Sequence, residues 1–250
     1  MTTWVLLRGL MRESRHWGEF PALLQQTLDT SVLTLDFPGN GSLYHYKSAS
    51  RVEEMVEHAR GQLRQLDQVP PYRLLALSLG AMVAEAWSEM YPQELETMVL
   101  INTSLAPYNP FYQRLRPQNY AALLCLLYGS AKQREALILR LTSNRSHTQN
   151  MQSTLQQWVA YVEEFPISNG NILRQLWAAI RYRAAIKIPS VPVLLLAGLQ
   201  DQLVSAKCTQ TLAQQWGCDI RLHPDAGHDL PLDDGVWVLQ QLGGWLNSLR

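Results

Sequence analysis

The chain has 250 residues, with 21 Lys and Arg against 21 Asp and Glu, a charged fraction of 17% and an apolar fraction of 47%. This balance excludes the basic excess of a nucleic-acid binder and the polarity of a disordered chain, and it fits one folded domain with an insertion. Cys125, Cys208 and Cys218 are odd in number and form no C-x-x-C pair, which speaks against a disulfide framework or a zinc site and for reduced, buried thiols in a cytoplasmic protein.

Taken in chain order, TWVLLR at 3–8 reads as the first strand, and no basic region precedes it, so no signal peptide is expected. Further strands are expected at 31–36, 72–77, 96–101, 191–197 and 218–223, nearly all apolar, as strands covered on both faces must be. Between them a 3.6-residue apolar spacing predicts helices near 17–28, 50–66, 79–91, 205–215 and 234–248. This alternation is the pattern of βαβ units on a parallel sheet. The longest uncharged apolar runs, 121–128 and 191–199, fall far short of the ~20 residues that cross a bilayer.

The pattern changes over 107–188, where no strand-like run appears and several helices rich in Gln, Arg, Leu and Trp are expected. This stretch is read as a helical lid inserted in a core formed by 1–106 and 189–250. It carries ten basic and three acidic residues, a net charge of +7 that leaves −7 on the remainder. Two accounts stand: the halves attract each other, or the basic lid steers a negatively charged substrate.

Ala76-Leu77-Ser78-Leu79-Gly80 stands where the third strand turns into a helix. Small residues two before and two after a serine permit a strained turn that raises Oγ above the sheet. A buried helix start with a serine N-cap is the plainer alternative. Asp201 follows the strand at 191–197 in Gly198-Leu199-Gln200-Asp201, and His228 follows the last strand in Ala226-Gly227-His228. The order Ser78, Asp201, His228, each after a different strand, is that of a nucleophile, an orienting acid and a base. Asp201 could instead cap the helix near Ser205, with Asp225 and Asp229 as weaker candidates for the acid; Asn102-Thr103-Ser104, after the preceding strand, offers no carboxylate.

With these residues, Arg8-Gly9-Leu10 after the first strand and Asp36-Phe37-Pro38-Gly39-Asn40-Gly41, the whole sequence resembles the α/β-hydrolase superfamily. Arg8 stands for the histidine of the family's H-G-x oxyanion loop, Asn40 for a frequent histidine of its D-x-P-G-x-G loop, and Trp17 falls where many lid-bearing members have tryptophan. The architecture is similar to the group of pimeloyl-carrier-protein methyl ester esterase and the menaquinone-pathway synthase. The resemblance implies a six-stranded, mainly parallel sheet with helices on both faces, because the family's first two strands are missing. It also implies an oxyanion hole from the Leu10 and Leu79 N–H groups, and a cofactor-free serine esterase or thioesterase acting on a small-molecule acyl substrate, either anionic or carrier-bound. C–C cleavage, acyl transfer and elimination can use the same triad, and a binding protein can keep the fold without turnover. Arg8 either braces the oxyanion loop through a salt bridge or, with Trp17, contacts substrate; Trp87, Trp158 and Trp177 are expected in packing. Gly39 and Gly41 lack the third glycine of a dinucleotide loop, and Glu13-x-x-His16 is a lone pair with nothing to complete a metal shell, so neither nucleotide nor metal is expected.

Overall fold

A computed structural model describes residues 2–144 and 149–249; Arg145 and His147 lie outside the described residues. Six strands form one sheet: β1 (Thr3–Leu7), β2 (Val32–Leu35), β3 (Tyr72–Leu77), β4 (Leu95–Ile101), β5 (Val193–Gly198) and β6 (Asp219–His223). Their spatial order is β2-β1-β3-β4-β5-β6, and every neighbouring pair is parallel. The chain winds outward through β2, then returns past β1 to build the other side. The order therefore reverses between β1 and β3, where the carboxyl ends of an open parallel sheet leave a crevice.

The alternation of side chains sorts the strands into two cores. Val5, Leu7, Leu74, Ala76, Met98, Leu100 and Leu195 pack against α2 (Val52–Gln65), α3 (Leu79–Met90) and α9 (Ala206–Trp216). Trp4, Leu6, Leu75, Leu77, Val99, Leu194 and Leu196 pack against α1 (Phe20–Leu28) and α10 (Leu230–Ser248). Each helix presents an apolar stripe to its layer: α2 buries Val52, Met55, Val56, Ala59 and Leu63, one face at helical spacing.

Among the described residues five α-helices lie between β4 and β5, α4 (Phe111–Arg114), α5 (Tyr120–Tyr128), α6 (Ala131–Thr142), α7 (Gln149–Glu164) and α8 (Asn169–Arg181), with one isolated parallel bridge from Ala106 to Arg183. Their small apolar clusters reach down to Met11 and Leu10, on the loop after β1. Of the thiols, Cys208 is buried and Cys218 half-buried, but Cys125 is exposed, contrary to expectation. The reason is α5 itself: YAALLCLLY is apolar all round, so composition does not mark its outer face, which also carries Leu124 and Tyr128. Among the described residues no helix is long and apolar enough to cross a membrane.

Candidate active site

Ser78 stands between β3 and α3 with φ of 58° and ψ of −114°, a left-handed conformation rare for a residue with a Cβ. The cross-strand register explains the small neighbours. Leu7 of β1 pairs with Ala76, and a Cβ on Gly80 would lie 2.3 Å from the Leu7 carbonyl oxygen, so only glycine lets α3 start this close to β1. The loop after β1 then runs beside the serine, with the position of a Cβ on Gly9 only 3.3 Å from Ser78 Cβ.

His228 and Asp201 meet from the ends of β6 and β5. His228 Nδ1 lies 2.7 Å from Asp201 Oδ2, both residues are buried, and the other carboxylate oxygen accepts the N–H groups of Leu203 at 2.8 Å and Val204 at 2.9 Å. A carboxylate only accepts, so Nδ1 carries the hydrogen and Nε2 is left as the base. Capping and histidine contact thus coexist at Asp201. Asp225 is exposed and Asp229 is committed to Arg8, which leaves Asp201 alone on the imidazole.

Asn102, noted in the sequence only for lacking a carboxylate, ties the two loops together. Its amide donates to the carbonyls of His228 at 2.6 Å and Gly227 at 3.1 Å, and its oxygen accepts the Gly198 N–H at 3.0 Å. The His228 loop is also fastened from above, where Asp229 N–H donates to the Thr142 carbonyl at the end of α6 at 2.7 Å.

Leu10 lies in a turn closed by Arg12 N–H to the Gly9 carbonyl at 3.2 Å, and among the described residues no hydrogen bond uses the N–H of Leu10 or Leu79. The next residue, Met11, has φ of 59° and donates its N–H to Gln175 Oε1 at 3.0 Å. Gln175, buried on α8, also donates to Asn40 Oδ1, and Asn40 donates to the Arg12 carbonyl. Gln175 is a support that the sequence did not suggest. Arg8 is buried and forms a forked pair with Asp229 at 2.6 and 3.2 Å, its guanidinium over the Trp17 ring at 4.7 Å. Trp17 in turn stacks on Phe20 and borders neither cavity beside Ser78. Glu13 and His16 form a reciprocal helix cap, with Glu13 N–H donating to His16 Nδ1. Burial and the nearby Arg12 and Arg8 charges hold His16 well below the usual imidazole range. Among the described residues no three potential metal ligands sit together.

Two cavities flank Ser78. One, about 80 Å³, is bordered by Arg8, Gly9, Leu10, Ser78, Leu126, Leu141, His228 and Asp229. The other, about 290 Å³, is bordered by Leu10, Ser78, Leu79, Met82, Leu123, Leu176, Val204 and Arg114. Residues of α5, α6 and α8 help to enclose this space, so the helical segment stands over the serine. A larger groove of about 650 Å³ lies away from it, along α1 and α10, and its Arg73 and Glu96 pair with each other at 2.5 Å. The arrangement around Ser78 joins a hydroxyl held at a strained turn, a buried imidazole that borders the same cavity and is backed by a carboxylate, and backbone N–H groups without acceptors among the described residues. Such a set can attack and release an acyl group.

Comparison with solved structures finds an esterase from Thermogutta terrifontis at 19% identity, covering 99% of this chain and 90% of that one with a TM-score of 0.80. An enol-lactonase from Burkholderia xenovorans matches at 16% identity, 98% and 91% coverage and a TM-score of 0.81. A hydrolase from Pseudomonas aeruginosa matches at 18% identity, 98% and 89% coverage and a TM-score of 0.79. Identities this low speak for the fold alone. No curated protein matches the sequence. The model of the alpha/beta hydrolase family matches residues 4–241, and with this match across nearly its whole length the chain belongs to that family.

Proposed function

We propose that this protein is a cofactor-free serine hydrolase that cleaves carboxylic esters through an acyl-enzyme. The observation that carries the reading is the buried contact of 2.7 Å between Asp201 and His228, whose imidazole borders the same cavity as Ser78. Ser78 Oγ attacks the acyl carbon as His228 Nε2 takes its proton, and the Leu10 and Leu79 N–H groups receive the negative charge on the carbonyl oxygen. Collapse of the tetrahedral intermediate breaks the bond to the leaving group, which takes the proton from His228. Water, deprotonated by the same imidazole, then attacks the acyl-enzyme and frees Ser78.

The two cavities divide the substrate. The leaving group must sit beside the imidazole that protonates it, hence in the space of about 80 Å³ with His228, which suits a small alcohol. The acyl chain takes the apolar space of about 290 Å³. This favours a small ester over a carrier-bound thioester while the lid, residues 107–188, is seated. Unpaired thiols, with burial pushing Cys208 up to about 12 and Cys218 up to about 11, suit a reducing compartment such as the cytoplasm.

A fluorophosphonate, whose leaving group is fluoride, is expected to label Ser78 stoichiometrically. Methyl esters of alkanoic acids should release acid, followed by pH-stat, and Ser78→Ala should remove that turnover by ~10³-fold or more with the fold intact by circular dichroism. Turnover near wild type in Ser78→Ala would end the assignment.

A further inference from the structure

The larger cavity beside Ser78 is walled by apolar side chains apart from Ser78, Ser104 and Arg114, and Arg114 is the one charged group among the residues that border it. Arg114, the last residue of α4, borders the same space as Ser78, Leu79, Met82 and Leu176. Its Nη2 donates to the Ala179 carbonyl at 2.7 Å, tying α4 to α8. Its Nε is buried and has no acceptor among the described residues. No carboxylate of the described residues lies within ion-pair distance, and Arg183, another cation, acts on Arg114 as a like charge. Burial weakens its hold on the proton, with Cys208 opposing the shift and Arg183 adding to it, yet a guanidinium stays ionised.

A tie between two helices explains only one of five donors, and a neutral side chain could supply it. Arg114 is half-buried, and holding its charge partly out of water against an apolar wall, without a counter-ion, disfavours the empty site. The missing partner fits as part of what fills the cavity. Phe111, on the same helix as Arg114, and Ile180, next to its partner Ala179, border the cavity and are 72% and 66% exposed, so Arg114 belongs to the open side of the cavity.

We propose that Arg114 receives a carboxylate at the far end of the acyl chain, so that the substrates are small-alcohol esters of acids whose apolar chain ends in a second carboxylate. This rests on the assignment of Ser78 and of the acyl cavity made above. The planar fork of the guanidinium matches a carboxylate, and a neutral chain of equal length leaves the cation unpaired. A charge-assisted hydrogen bond of this kind supports a selectivity of about ten- to a hundredfold.

The test compares kcat/KM for monomethyl dicarboxylates and methyl alkanoates of matched chain length, at high salt so that only local contacts count. In the wild type the ratio of anionic to neutral substrate should exceed ten at one chain length and fall on either side of it. Arg114→Gln should bring the ratio to one or below through KM, and Arg114→Lys should keep part of it. A wild-type ratio of one or less at every length overturns the proposal, as does an unchanged ratio in Arg114→Gln. Should the glutamine variant fail to fold, inhibition of the wild type decides: dicarboxylates must compete better than monocarboxylates of equal length, and equal inhibition overturns it. Turnover of neutral esters without anion preference sinks this proposal and leaves the hydrolase; no turnover and no labelling of Ser78 sinks the hydrolase itself.

Discussion

Asp201 divides its two oxygens between the backbone and the histidine, and this division decides what an amide would do there. In Asp201→Asn the N–H groups of Leu203 and Val204 claim the single carbonyl oxygen, which turns the NH2 toward His228 Nδ1. The imidazole must then carry its hydrogen on Nε2 and cannot accept the Ser78 proton. The expected loss in kcat is about ten-thousandfold, measured by acid release from methyl esters, with little change in thermal stability. A variant within tenfold of wild type would show that Asp201 does not set the tautomer. Arg8 calls for a different experiment, because its pair with Asp229 is buried on both sides. Arg8→Met strands a buried carboxylate and should cost about 3–5 kcal/mol in urea unfolding, whereas adding Asp229→Leu should recover much of that loss. Equal destabilisation in the single and double variants would mean that packing of Arg8 on Trp17, not the charge pair, is what matters. Ser78, His228 and Asp201 were legible because strand-to-helix turns carry local patterns. Asn102 and Gln175 were not: their partners lie 126 and 164 residues away, and no spacing rule reports a hydrogen bond of that span.

At the scale of elements, the sheet followed from runs such as YRLLAL, since strands buried on both faces must be apolar throughout. The ends were less readable. The helix expected at 17–28 starts at Phe20, because the Glu13–His16 cap winds a short 3-10 turn that Gly18, with φ of 55°, breaks. The helix expected from 234 begins at Leu230, but Asp234 has φ of −154° and accepts the Trp237 N–H, so the second piece starts where the periodicity placed it. Polarity hides inside helices too. Glu85 of α3 is buried and accepts the Tyr182 hydroxyl, and burial pushes its carboxyl up to about 7. From the ordinary 4.5 up to about 7 the folded state therefore binds the proton that the unfolded state has released. Stability falls as pH rises through that window, by roughly 3 kcal/mol. Glu85→Gln keeps an acceptor for Tyr182 and should flatten this limb, standing above the wild type in denaturant midpoint at pH 8 but not at pH 5. The same pH slope in both proteins would place the titrating group elsewhere.

For the whole molecule, the uneven charge poses the last question. Residues 107–188 carry a net charge of +7, and the simplest account would have their arginines clamp them onto the negative core. The ion pairs run the other way: Arg12 and Arg15 of the core hold Glu135 and Glu164 of the helical segment. Among its described basic residues, Arg114, Arg134 and Arg174 bond to carbonyls and Arg181 lies over the Trp177 ring, and none pairs with a carboxylate. Two of the three acids of the segment are thus neutralised from below while its positive charge is not. Such a field acts over distance and should raise the encounter rate of anionic esters, an effect that fades as salt shortens the Debye length to ~8 Å. A contact at one guanidinium is local and survives that screening. The kcat/KM of an anionic ester should therefore fall with ionic strength toward a plateau, while that of a neutral ester of equal length stays level. The unfolding midpoint should change little, since the Arg12–Glu135 pair is buried and poorly screened. Parallel salt profiles for the two esters would remove steering, and a midpoint that drops with salt would return the charge to holding the segment down.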